Sequence, residues 1–159
     1  MTIKVGDRLP KAELVKATED GPEGVDTESY FANRKVALFA VPGAFTPTCS
    51  NSHLPSFVEK AADLKAKGVD EIVCTAVNDP FVLAAWAKSG GAEGVTMLAD
   101  GNGEFAEALG LTMDGSKFGL GKRSQRYSMI VNDGIVEQLN VEAPGEYRVS
   151  SAEHLLGNL

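Results

Sequence analysis

The sequence predicts an α/β fold with a mixed central sheet flanked by helices. Three observations carry this expectation. The run Val36-Ala37-Leu38-Phe39-Ala40-Val41 is continuously apolar and bounded by turn residues, the pattern of a strand buried on both faces. Apolar runs and helical patterns then alternate in the order β-α-β-α-β-α-β-β-α, which points to one sheet covered by helices. The last two strands meet across Asn132-Asp133-Gly134, a hairpin signal that makes that end of the sheet antiparallel.

Taken in order, residues 18–27 are rich in Gly, Glu and Asp and read as an exposed turn or hairpin. After the strand at 36–41, residues 50–67 read as a helix, with Leu54, Phe57, Val58, Ala61 and Leu64 on one face. Pro55 inside it lacks the N–H that would bond to the Asn51 carbonyl, so a bend is expected just after the first turn. Residues 71–77 read as the next central strand. Pro80 suits a helix start, because its missing N–H costs little in a first turn. A short helix over 81–88 is closed by Gly90-Gly91. A short strand over 96–99, a short helix over 104–109 and the strands 126–131 and 135–141 follow. Ser151 can cap a terminal helix.

The chain has 159 residues, which suggests one domain spanning 1–159. A domain of that size buries roughly 70% of its unfolded-chain surface, enough for an independent core. The net charge of −7 argues against a nucleic-acid partner, which needs clustered cations. The one dense basic cluster, Lys122, Arg123 and Arg126, is too small for that purpose. No apolar run approaches the ~20 residues that span a membrane, and residues 1–7 lack the apolar stretch of a signal peptide. A cytoplasmic location is therefore expected. Two cysteines make no disulfide framework, which fits a reducing compartment.

Cys49 is the residue that carries chemistry. It stands where a strand has ended, the turn Pro42-Gly43-Ala44-Phe45-Thr46-Pro47-Thr48 is complete, and a helix begins. Helix starts favour negative charge, and the thiolate is the reactive form of cysteine. A single Cys is more often a small buried hydrophobe. Its flanks argue otherwise: Thr46 supplies a hydroxyl that both donates and accepts, and Pro42 and Pro47 stiffen the turn.

The pattern P-x-x-x-T-x-x-C formed by Pro42, Thr46 and Cys49 resembles the active-site motif of peroxiredoxins. The string PGAFTPTCS followed by His53-Leu54-Pro55 is similar to the atypical, type II (peroxiredoxin-5-like) branch. Two further blocks share the resemblance: Val77-Asn78-Asp79-Pro80-Phe81-Val82 with Trp86 behind it, and Gly121-Lys122-Arg123-Ser124-Gln125-Arg126-Tyr127-Ser128-Met129. It runs from the Val5-Gly6-Asp7 opening to the last helix.

The resemblance implies a thioredoxin-like fold and an enzyme, a thiol-dependent peroxidase acting on hydrogen peroxide and small alkyl hydroperoxides. Cys49 would become a sulfenic acid. Thr46 would hydrogen-bond the thiolate and the peroxide, and the backbone N–H groups of Thr48 and Cys49 would receive a peroxide oxygen. Pro42 would shield the thiolate, and Arg126 would hold it and polarise the peroxide. Read without the resemblance, Arg126 is a surface cation or a partner for an acidic residue. Lowering a thiol pKa also lowers its nucleophilicity, so transition-state stabilisation has to supply most of the rate.

Cys74 lies within Ile72-Val73-Cys74-Thr75-Ala76-Val77 and reads as inert and space-filling rather than as a resolving cysteine. Some relatives carry a resolving Cys near the C-terminus, but Glu146-Tyr147-Arg148-Val149-Ser150-Ser151 contains no thiol. This departure implies a one-cysteine mechanism recycled by an external thiol, either glutathione with glutaredoxin or thioredoxin. Family analogy also suggests a homodimer with the Cys49 loops near the contact. His53 reads as a structural group rather than a catalytic base, and His154 as a surface residue. Two histidines with no nearby Cys pair make no recognisable metal site, and no cofactor is expected. The stretch from Gly119 to Ser124 fails as a phosphate loop, because Ser116 stands at the first Gly position and Arg123 replaces the Ser or Thr. A peroxide sensor or relay passing Cys49 oxidation to a partner would use the same residues, and a non-catalytic thioredoxin-like binding module would be expected to lose some of them.

Overall fold

The computed structural model describes residues 2–159. Its centre is a seven-stranded mixed sheet with strand order β2-β1-β5-β4-β3-β8-β9. The strands are β1 (Glu13–Thr18), β2 (Gly21–Asp26), β3 (Lys35–Ala40), β4 (Glu71–Ala76), β5 (Thr96–Ala99), β8 (Tyr127–Asn132) and β9 (Ile135–Val141). A separate two-stranded ribbon pairs β6 (Thr112–Asp114) with β7 (Lys122–Ser124). The helices are α1 (Thr27–Tyr30), α2 (Leu54–Ala66), α3 (Pro80–Ser89), α4 (Glu104–Leu109) and α5 (Ala152–Gly157).

The apolar run at 36–41 is the middle of the molecule. β3 runs parallel to β4 and antiparallel to β8, so neighbours satisfy its backbone on both edges. Its side chains alternate between two cores. Ala37 and Phe39 face one core, with Phe57 from α2, Leu83 and Trp86 from α3, and Leu155 from α5. Val36, Leu38 and Ala40 face the other, with Phe31, Phe105 and Leu109. Both faces of β3 are thus dry, which is why its sequence does not alternate. The rings of Phe39 and Phe57 stack in parallel with centroids 4.0 Å apart. Truncating either to Ala would cost about 3–5 kcal/mol.

The local signals place the elements. The terminal hairpin closes through Asp133 and Gly134, both with positive φ (50° and 78°), the two-residue turn that matches strand twist. The acidic segment at 18–27 forms the β1–β2 hairpin. Asp79 accepts from the Val82 amide and starts α3, and Ser151 accepts from the His154 amide and starts α5.

The start of the long helix differs from the expectation. Residues Cys49–His53 form a π turn, in which the Leu54 N–H reaches back to the Cys49 carbonyl. Pro55 therefore falls in the first turn of α2, where its missing N–H is tolerated, and the irregularity precedes the proline instead of following it. The β6–β7 ribbon was not foreseen either. Strands of three residues are too short to show periodicity.

Candidate active site

The site is built at the carboxyl end of β3, where open α/β sheets place their clefts. After Ala40 the chain leaves the sheet with one more bond, from the Val41 amide to the Thr75 carbonyl. It then turns sharply, and Phe45 adopts a left-handed φ of 66° that a bulky residue takes only under constraint. Three contacts supply that constraint. The Ala44 amide donates to Asn78 Oδ1 at 2.9 Å, the Thr46 hydroxyl donates to the Gly43 carbonyl at 2.7 Å, and Arg123 Nη1 donates to the Pro42 carbonyl at 3.2 Å. Gly43 is required for the last of these. A Cβ at this position would sit 2.7 Å from Arg123 Nη1 and push the guanidinium away.

Cys49 opens the π turn and is fully buried. The Ser50 amide donates to the Thr46 carbonyl at 2.9 Å. The amides of Thr48 and Cys49 lie before it, in the first turn, where intrahelical acceptors run out. Arg126, just ahead of β8, donates from Nη2 to Cys49 Sγ at 3.1 Å. Pro42, Thr46, Thr48, Cys49 and Arg126 thus converge on one end of the sheet. A cavity of about 600 Å³ opens there, lined by Pro42, Thr48 and Arg126 together with Met113, Phe118 and Pro144 among others.

The other arm of the Arg126 fork is also engaged. Nη1 lies 3.0 Å from His53 Nδ1, and His53 Nε2 lies 2.9 Å from the Ser150 carbonyl. A carbonyl can only accept, so Nε2 carries the proton and donates to Ser150. Nδ1 is then the acceptor for Arg126. Burial, and then the positive charge of Arg126, push the His53 pKa down to about 3, so the ring is neutral. Its lone pair is spent on Arg126, which leaves no base function toward Cys49. The Tyr147 ring packs 5.3 Å from that of His53, and its hydroxyl donates to the Ser52 carbonyl. Trp86 Nε1 donates to Ser50 Oγ at 2.9 Å, so the π turn is held from two sides.

One feature stands apart from the expected pattern. The proton of the Thr46 hydroxyl is committed to Gly43, so its oxygen offers lone pairs rather than a donor to the site. Cys74 lies in β4, fully buried in the same core as Cys49, and both thiols are free. Burial, reinforced by the nearby Cys49, pushes the Cys74 thiol well above the usual range, so it stays protonated and unreactive.

Reasoning from the sequence missed Arg123, Asn78 and Tyr147 as supports. Asn78 and Arg123 stand in the two motif blocks quoted above, which was the available signal. Tyr147 carried none.

A family model described as Redoxin matches residues 4–156. Peroxiredoxin-2E-2, chloroplastic, of Oryza sativa subsp. japonica is 51% identical over 164 residues, covering 98% of this chain and 72% of the relative. Peroxiredoxin-2B of Arabidopsis thaliana is 48% identical over 156 residues, covering 97% of this chain and 96% of the relative. Reduced Prx3 in complex with H2O2 from Vibrio vulnificus superimposes with a TM-score of 0.96 at 51% identity, over 99% of both chains.

Proposed function

Since the chain belongs to the peroxiredoxins, thiol-dependent peroxidases of the Redoxin family with a thioredoxin-like fold, we propose that it reduces hydrogen peroxide and small alkyl hydroperoxides through Cys49 by a one-cysteine mechanism. The observation that carries the assignment of Cys49 is the 3.1 Å contact from Arg126 Nη2 to its sulfur, made in a buried setting beside free first-turn amides. The Vibrio vulnificus relative, captured with H2O2, supports the choice of substrate.

The thiolate attacks the terminal oxygen of the hydroperoxide. An S–O bond forms as the O–O bond breaks, and the leaving oxygen departs as hydroxide or alkoxide and takes up a proton to become water or alcohol. Cys49 is left as a sulfenic acid. The amides of Thr48 and Cys49 and the Arg126 guanidinium lie where negative charge spreads over the two peroxide oxygens. The Thr46 oxygen accepts from the peroxide O–H and orients it. Pro42 keeps water from the sulfur. These groups are fixed before substrate arrives, so little reorganisation accompanies the reaction.

Recycling requires an external thiol. The first thiol condenses with the sulfenic acid, releasing water and leaving a mixed disulfide, and a second thiol displaces Cys49 as thiolate. Glutathione with glutaredoxin, or thioredoxin, fits this role. Cys49 is fully buried, so the π turn must unwind to present the sulfur. Unwinding breaks the bonds from Trp86 to Ser50 and from Tyr147 to Ser52, so these two contacts set how readily the sulfur is presented. Phe45 and Phe118 expose 54% and 81% of their surface around the site, which supports a homodimer that covers them. Among the described residues no helix is long and apolar enough to cross a membrane. The two free thiols suit a reducing compartment such as the cytoplasm; the rice relative is named as chloroplastic.

The test is peroxide consumption followed with glutathione alone, with glutathione and glutaredoxin, and with a thioredoxin system. Sustained turnover in at least one is expected. A single stoichiometric oxidation that none of them reverses would replace the peroxidase with the relay.

A further inference from the structure

Glu142 follows the last residue of β9 and is nearly buried, with 6% of its surface exposed. Its backbone amide donates to the Arg126 carbonyl at 3.0 Å, extending the β8–β9 ladder by one bond. Its carboxylate turns toward the segment before α5. The amide of Arg148 reaches both oxygens at 2.8 Å. The amides of Val149 and Ser150 reach Oε2 at 2.8 Å each, and the Ser150 hydroxyl reaches it at 2.6 Å. Three successive amides and a hydroxyl thus converge on one charged acceptor, a backbone nest built by the protein for its own carboxylate. The other charged side chains nearby are engaged elsewhere: Arg148 Nε pairs with Glu146 at 2.8 Å, and Arg126 with Cys49 and His53.

The segment so gathered ends at Ser150, whose carbonyl accepts from His53 Nε2. That bond decides which ring nitrogen of His53 is free for Arg126. We propose that Glu142 is a positioning residue for the peroxidatic site: it holds the Arg126 backbone from one side and, through Ser150 and His53, the Arg126 guanidinium from the other. Its carboxylate does not reach Cys49. It fixes the Ser150 carbonyl, which fixes the His53 tautomer, which presents an acceptor to Nη1 and leaves Nη2 aimed at the sulfur. Without the carboxylate, three amides and a hydroxyl lose the one acceptor they share, and the segment must move to find others. The His53 ring then loses its fixed proton position. A displaced guanidinium lowers the rate at the sulfur even when the fold survives.

The experiment is a double-mutant cycle with a spectroscopic arm. Peroxide oxidation of Cys49 is followed in single turnover for the wild type, Glu142→Ala, Glu142→Gln, His53→Asn and the two double variants. Glu142→Ala should lower the rate about tenfold or more with His53 present, and by less than about twofold in the His53→Asn background. Glu142→Gln, which keeps an oxygen where the donors converge, should lose about threefold or less. Equal losses in both backgrounds, or no loss with His53 present, would overturn the proposal. Should Glu142→Ala not fold, Glu142→Leu, which keeps the bulk but removes both acceptor oxygens, takes its place in both arms. The kinetic arm rests on the peroxidase reading, but the second arm does not. Nitrogen-15 shifts of the His53 ring should show a fixed Nε2–H tautomer in the wild type and in Glu142→Gln, and a tautomer mixture in Glu142→Ala. A ring that keeps its fixed Nε2–H form in Glu142→Ala overturns the proposal whatever the kinetics. A wild type that ignores peroxide, with the tautomer mixture still appearing when Glu142 is replaced by Ala, refutes the peroxidase and leaves the positioning role of Glu142 standing.

Discussion

Arg126 Nη2 donates to Cys49 Sγ across 3.1 Å although the two residues lie 77 positions apart in the chain. The same guanidinium donates from Nη1 to His53, so its plane is set before any substrate binds. A planar fork can serve two acceptors at once, and here one arm holds the guanidinium while the other addresses the sulfur.

Arg126→Lys tests this division. A lysine keeps the charge but offers a single ammonium, which cannot bridge Sγ and Nδ1 with fixed geometry. Peroxide oxidation of Cys49 should slow by about a hundredfold or more, the scale of losing a preorganised charge-stabilising donor. Alkylation by iodoacetamide, which forms no oxyanion for Arg126 to stabilise, should slow much less. Unchanged peroxide kinetics would remove Arg126 from the reaction.

The two cysteines should behave differently. Cys49→Ser should abolish peroxide reduction, since a hydroxyl with no base beside it is a poor nucleophile. Cys74→Ser should keep most of the activity and lose about 1–3 kcal/mol of stability, because β4 offers a new hydroxyl no evident partner. A folded but inactive Cys74→Ser protein would refute the one-cysteine reading.

Stoichiometric peroxide should add one oxygen to the chain, or one glutathione when glutathione is present, and excess peroxide without reductant should add two or three oxygens. Intact mass reports each outcome. The Cys74 thiol is buried in the central sheet and held protonated, so it is a poor attacker of the sulfenic acid. Loss of two hydrogens within one chain would make Cys74 the resolving residue.

His53 should make stability fall in acid. Its folded pKa, about 3, lies below the ordinary 6.5, so the unfolded chain binds the extra proton between these values. The stabilisation is complete above pH 6.5 and is lost as pH falls toward 3, at up to roughly 1.4 kcal/mol per pH unit. Denaturant midpoints of the wild type and His53→Asn, compared from pH 7 to 4, should converge as the pH drops. Parallel curves would mean that His53 does not titrate on unfolding.

Much of the architecture was legible before any coordinates. The apolar run of β3, the Asp133-Gly134 turn and the caps at Asp79 and Ser151 are short-range signals, written within a few residues and obeyed locally. The position of Cys49 at a strand end and helix start was legible for the same reason. The motif blocks around Thr46 and Arg126 named candidate residues, though not how they meet.

What folding added depends on groups far apart in sequence. The π turn at Cys49–His53 is held by Trp86 and Tyr147, from other elements, so no local pattern announces it. The Thr46 hydroxyl gives its proton to Gly43 because the turn brings that carbonyl near, a choice that composition does not record. His53 reads from sequence as a structural group, but the partners that fix its ring are Ser150, 97 positions away, and Arg126, which no local pattern names. Glu142 is one of many acidic residues until the chain returns three amides to it. Periodicity and turn chemistry act over a few residues, whereas hydrogen-bond partnership at a buried site is assigned when distant segments pack and each polar group must find the partner within reach.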